Sequence, residues 1–251
     1  MAHIISVINH KGGVGKTTST ANICAGLHRL GKRVLMVDID PQANLTRHFG
    51  ISKTLERSVF GALNGDYPAP ALKVKEGLDI VPSHQDLIGW EKLAADEPGR
   101  EFFLREAIAP LIGCYDYVFI DCPPSLNLLP VNALCASNGI LITVEPSLFS
   151  IEGMSNIFNA ASKVRSRINK DLAGCRILIT RFFSSKVLHR NARDIIRENY
   201  GTGVFSAVIR TSVALEEAVM SGVDVFEYNG NSAGAKDYMS VCNEIVNLKQ
   251  W

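Results

Sequence analysis

The stretch Lys11-Gly12-Gly13-Val14-Gly15-Lys16-Thr17-Thr18 restricts this chain more than any other feature. It follows an apolar run over residues 4–9 that reads as a buried strand, and it precedes a helical pattern over residues 17–30. The glycines at 12, 13 and 15 let the backbone curl so that successive N–H groups converge, and the helix N-terminus adds its positive dipole end. Such a loop is a cradle for phosphate. The pattern G-x-x-x-x-G-K-[ST] is intact from Gly15-Lys16-Thr17 onward, with His10 standing where its first glycine would be. In that pattern Lys16 meets the β- and γ-phosphates of a nucleotide, and the Thr17 hydroxyl suits Mg²⁺.

Further apolar, β-branched runs recur at 34–38, 78–82, 117–121, 140–144, 176–180 and 204–209. Most lack polar alternation, so they read as strands buried on both faces. Helical patterns fall between them at 101–109, 126–136, 151–168, 188–200 and 213–221, with a closing helix over 232–248. This alternation predicts an α/β fold, a mostly parallel twisted sheet with helices on both faces, as one phosphate-loop NTPase domain over residues 1–251. Residues 50–71 are the least regular and read as short helices at most. Two strand ends carry acids. Val37-Asp38-Ile39-Asp40-Pro41 places two carboxylates at i and i+2, and Asp121 closes an apolar strand. Ligands of open α/β sheets gather at the carboxyl ends of strands, where the loop and both acidic ends lie.

Composition narrows the classes further. In 251 residues, 26 Lys and Arg against 25 Asp and Glu leave a formal charge of +1, so any attraction to nucleic acid or anionic membrane needs a local patch. The six cysteines form no C-x-x-C and no Cys/His cluster of metal-ligand spacing, which reads as reduced thiols in a cytoplasmic protein. No apolar run approaches the ~20 residues of a membrane span, and the first residues are too short a run for a signal sequence.

One patch does exist. Residues 160–200 hold ten basic and three acidic side chains, a net of +7, while the remaining chain carries −6. Lys186, Arg190, Arg193 and Arg197 are spaced to share one helical face, where like charges repel. Phosphate contact would explain the stripe; a solvated helix or a protein-partner surface is the competing reading. Arg181-Phe182-Phe183 follows a strand, and Phe182 with Arg210 is placed as a flank for the adenine ring.

In this order and spacing, residues 11–18, 37–44 (VDIDPQAN) and 119–124 (FIDCPP) resemble the deviant Walker A, A′ and B motifs of the ParA/Soj partitioning ATPases of the ParA/MinD superfamily. Residues 207–238 resemble the family's closing segment. The resemblance implies ATP and Mg²⁺ as cofactors, bound through Lys11, Gly12, Gly13, Val14, Gly15, Lys16, Thr17 and Thr18. It makes Lys11 the signature lysine that reaches the partner's ATP in a sandwich homodimer, and Lys16 the ordinary loop lysine. It gives Asp40 the role of orienting the attacking water, and places Thr17, Asp38 and Asp121 with the metal and its water shell. It further implies ATP-dependent, non-specific binding of double-stranded nucleoid DNA through the basic stripe. A ParB-like or other adaptor protein would stimulate hydrolysis, and the cargo would be a plasmid, a chromosome origin or a protein organelle.

The loop begins near residue 10, leaving no room before it for the helix-turn-helix extension of some plasmid relatives. A membrane-positioning ATPase of MinD type is the alternative, yet residues 240–251 hold one lysine and a terminal tryptophan, a poor match to a basic lipid-binding helix. A cluster-carrying member is a second alternative, with Cys122 reading better as a small buried residue.

Overall fold

The computed structural model describes residues 2–51, 55–248 and 251, with the side chains of 148–152 excepted. Seven strands form one sheet in the order β3-β4-β2-β5-β1-β6-β7. They are β1 (His3–Ile8), β2 (Val34–Asp38), β3 (Leu72–Lys75), β4 (Leu78–Val81), β5 (Tyr117–Asp121), β6 (Gly139–Val144) and β7 (Gly174–Ile179). All neighbouring pairs are parallel except the edge hairpin β3–β4. β2, β5 and β6 are buried at every position, which is why these strands read as unbroken apolar runs.

Alternate residues of the strands feed opposite layers. Ile5, Val7, Met36, Phe119, Leu141 and Leu178 pack under α1 (Lys16–Arg29), α9 (Val213–Met220), α10 (Val225–Asn229) and α11 (Ala233–Val246). On the other face, Leu35, Val37, Val118 and Ile120 pack with α3 (Val59–Leu63), α4 (Leu87–Leu93), α5 (Phe103–Ile112) and α6 (Leu128–Ala136). Ile140, Ile142, Ile177 and Ile179 continue that layer beneath α7 (Leu148–Arg167) and α8 (Val187–Tyr200). The short α2 (Asn44–His48) follows β2. Because β1 lies between β5 and β6 while the chain from β1 leads outward to β2, the crevice at the end of β1 is a topological switch point. Among the described residues no helix is long and apolar enough to cross a membrane.

The expected strand over 204–209 is corrected. Only a bridge between Ile177 and Val204 and another between Phe182 and Arg210 form there. The N–H groups of Ser206 and Ala207 donate to the Glu244 carboxylate at 2.8 and 2.7 Å, so the middle of the segment cannot ladder with β7. Five residues, from Phe205 to Ile209, span the distance that the three from Ile177 to Ile179 cover on β7. The edge strand β3 and helices α2, α4 and α10 are additions to the expected elements. Within residues 50–71, α3 is the short helix present, and residues 52–54 lie outside those described.

Candidate nucleotide site

The loop leaving β1 is fixed at both ends. Asn9 is buried, donates from Nδ2 to the Thr143 carbonyl at 2.6 Å and accepts the Lys11 N–H at 3.0 Å. Thr180 Oγ1 donates to the Val14 carbonyl at 2.8 Å. Gly13 and Gly15 have φ of +73° and +79°, backbone that an L side chain would strain, and Gly15 caps the start of α1. Asn9 and Thr180 escaped the sequence reading. A polar residue closing an apolar strand two positions before Lys11 was the available signal for Asn9.

Lys16 is the first residue of α1, buried, with Nζ donating to the Lys11 carbonyl at 3.2 Å across the loop. Burial lowers its pKa, and the carboxylates of Asp121 and Asp40 work in the opposite direction. Thr17 Oγ1 donates to Asp121 Oδ2 at 2.7 Å. With its proton committed to Asp121, the hydroxyl has only lone pairs left to offer, as a metal ligand must. Asp38 and Asp121 are register partners on β2 and β5 and both fully buried. Burial pushes the Asp38 carboxyl up to about 7 despite its hydrogen bonds, and pushes Asp121 up, with Asp38 adding repulsion. A divalent cation nearby would reverse that cost.

Asp38 spends both oxygens inside the protein: Oδ1 accepts the Asp40 N–H, and Oδ2 accepts the N–H and hydroxyl of Thr46. Asp40, two residues beyond the end of β2, is also buried, with Oδ1 accepting the Gln42 N–H at 2.9 Å. No group of three or more His, Cys, Asp or Glu among the described residues could hold a metal alone. Mg²⁺ needs no such cage, because it keeps waters and takes one or two protein ligands beside substrate phosphates. Thr17 with Asp121 behind it fits that demand. Lys11 lies at the rim, its side chain half exposed, with Nζ 3.2 Å from Glu145 Oε2.

The remaining candidates lie further out. Phe182 and Arg210 are bridged through the backbone, but the Phe182 ring is buried in the core and the Arg210 guanidinium is forked onto Asp237 at 2.7 and 2.9 Å. The basic stripe lies along α8, whose other face buries His189, Ala192 and Ile196. Lys186 Nζ sits 4.3 Å over the Phe183 ring, and Arg193 lies 5.5 Å over Phe182. Arg190 and Arg197 each donate to a backbone carbonyl, of Ser184 and Ser206. Cys122 is buried against the Ile120 carbonyl, and burial pushes its thiol up, away from the thiolate that ligates metal.

Residues 2–174 match the family model described as an AAA domain. The sporulation initiation inhibitor protein Soj of Bacillus subtilis is 36% identical over 250 residues, 98% of this chain and 99% of Soj. The chain belongs to the ParA/Soj family. The chromosome partitioning protein ParA of Caulobacter vibrioides is 33% identical over 253 residues, covering 98% of this chain and 95% of its own. Among solved structures, cobyrinic acid a,c-diamide synthase from Mycobacterium smegmatis, with bound ADP and magnesium, superposes with a TM-score of 0.85 at 31% identity over 98% of this chain and 94% of its own. The likeness spans nearly the whole chain, so the ParA/Soj fold accounts for the whole sheet.

Proposed function

We propose that the chain is a Mg²⁺-dependent ATPase that closes into an ATP-sandwich homodimer, binds nucleoid DNA without sequence preference in the cytoplasm, and positions a cargo, with a partner protein stimulating hydrolysis. The observation that carries this reading is the Thr17–Asp121 hydrogen bond of 2.7 Å beside the buried Lys16, at the switch point of the sheet. The loop N–H groups of residues 12–17 and Lys16 receive the β- and γ-phosphates, exchanging the Lys11 carbonyl for phosphate oxygens. Thr17 would hold Mg²⁺, which when bound would neutralise charge developing on the phosphates. Asp40 orients the attacking water with the carboxylate oxygen not engaged by Gln42. Lys11 is exposed at the rim, so it can leave its own subunit and meet the γ-phosphate of another. An arginine finger in a comparable role is worth about 10³–10⁵ in rate.

Closure of two subunits doubles the α8 stripe of Lys186, Arg190, Arg193 and Arg197, which makes DNA binding a consequence of ATP. Asp40→Ala tests the reading. The variant is expected to bind ATP, persist as a dimer by light scattering and release phosphate at under about 1% of the wild-type rate, since losing a positioned reactant costs about 10²-fold or more. Wild-type turnover in that variant would remove Asp40 from the chemistry.

A further inference from the structure

Three side chains from separate elements close a ring on the main chain of Asp40. Asp38 Oδ1 accepts the Asp40 N–H at 3.1 Å. Asp38 Oδ2 accepts the Thr46 hydroxyl at 2.7 Å and the Thr46 N–H at 2.8 Å. Thr46 Oγ1 in turn accepts the Ser83 N–H at 2.9 Å, and Ser83 Oγ donates to the Asp40 carbonyl at 2.7 Å. Asp38, Thr46 and Ser83 are 0, 1 and 2% exposed, so water does not compete for these bonds. The direction of each bond is settled by chemistry. The Thr46 proton goes to a carboxylate, so its oxygen is left to accept from Ser83, and a carbonyl can only accept the Ser83 proton.

The ring grips both polar groups of the Asp40 main chain, the N–H from β2 and the C=O from the loop after β4. Just beyond, the Ala43 N–H also donates to the Asp40 carbonyl at 2.8 Å, and Ala43 takes a left-handed φ of +52°. A non-glycine residue persists there only where its surroundings over-determine it. Structural economy alone would not call for this, since a turn after a strand needs none of these side chains.

We propose that Thr46 and Ser83 are positioning residues for ATP hydrolysis, holding the Asp40 main chain so that its carboxylate meets the attacking water. The proposal rests on the reading of Asp40 given above. Neither residue reaches the phosphate loop, so their loss acts on turnover and spares nucleotide affinity. A displacement of about 1 Å at a reacting group can cost about 10²-fold in rate.

The test is steady-state ATPase kinetics of the full chain with Mg²⁺, with ATP affinity read separately by a fluorescent ATP analogue. Ser83→Ala and Thr46→Val are expected to lower kcat by about tenfold or more with KM and analogue affinity within about twofold, while Thr46→Ser, which keeps the hydroxyl, returns kcat to within about threefold of wild type. Should Thr46→Val fail to fold, Ser83→Ala carries the test. Wild-type kcat in Ser83→Ala, a parallel loss of affinity, or a Thr46→Ser variant as slow as Thr46→Val overturns the proposal. Asp40→Ala is the reference. If it is inactive while Ser83→Ala turns over normally, the ring alone is refuted; if Asp40→Ala turns over normally, the catalytic reading and the ring fall together.

Discussion

Lys11 Nζ lies 3.2 Å from Glu145 Oε2, at the end of β6 in its own subunit. A lysine assigned to a partner's nucleotide therefore starts from a contact that has to break. The pair is half exposed, and such bridges are worth about 0.2–1 kcal/mol. Glu145→Gln removes the charge and keeps the shape, so ATP-driven dimerisation is expected at about twofold to fivefold lower protein concentration in light scattering. An unchanged or raised midpoint contradicts the restraint.

The two loop lysines should separate cleanly. Lys16→Ala deletes a buried ammonium aimed into the loop, and charged hydrogen bonds are worth about 1.5–3 kcal/mol each, so ATP affinity is expected to fall about 10²-fold or more by calorimetry. Lys11→Ala is expected to keep affinity within a few-fold and to stay monomeric in ATP. Similar losses of affinity in both variants would put Lys11 in the cis site.

Stability carries its own test at the far edge of the sheet. Burial would raise the Asp224 carboxyl, but the Lys75 ammonium at 2.6 Å, the Glu227 N–H and Arg29 bring it below the usual aspartate value. A lowered pKa contributes stability that is full above the unfolded value near 3.9 and is lost as pH falls through the folded one. Lys75 is one-third exposed and Arg29 remains, so Lys75→Met is expected to cost about 1–3 kcal/mol, or roughly 2–10 °C in Tm, at neutral pH. Its acid unfolding should begin at higher pH than wild type. An identical acid limb would show that Lys75 does not hold Asp224 down.

What was legible in the sequence is what short range dictates. Residues 11–18 announce their loop because Gly13 and Gly15 occupy positive φ and Lys16 opens a helix, all within one turn of chain. Asp38 and Asp121 end apolar strands, so their place at the crevice follows from a parallel sheet. Residues 204–209 misled because their N–H groups are taken by Glu244, thirty-eight residues away in sequence. The edge strand β3 has the alternation of Leu72-Lys73-Val74-Lys75 followed by a Glu-Gly turn, a signal outside a search for unbroken apolar runs. Thr46 and Ser83 gave no sequence signal at all, since their ring with Asp38 exists only once β2, α2 and the loop after β4 meet. Phe182 and Arg210 meet through a backbone bridge, but burial and Asp237 determine where their side chains lie.

The claim that ATP, by joining two α8 stripes, licenses DNA binding is tested most directly by fluorescence anisotropy of duplexes of unrelated sequence across a salt series. Wild type and the Arg190→Ala, Arg193→Ala, Arg197→Ala triple variant are compared in Mg-ATP and Mg-ADP. Each phosphate contact contributes a slope of about −0.9 in log K against log salt, so wild type in ATP should bind all sequences alike with a slope that the triple variant reduces by up to about 5. Binding should be weak in ADP, and the triple variant should still dimerise in ATP. Equal affinity in ATP and ADP, an undiminished slope in the triple variant, or a strong preference for one sequence would contradict it.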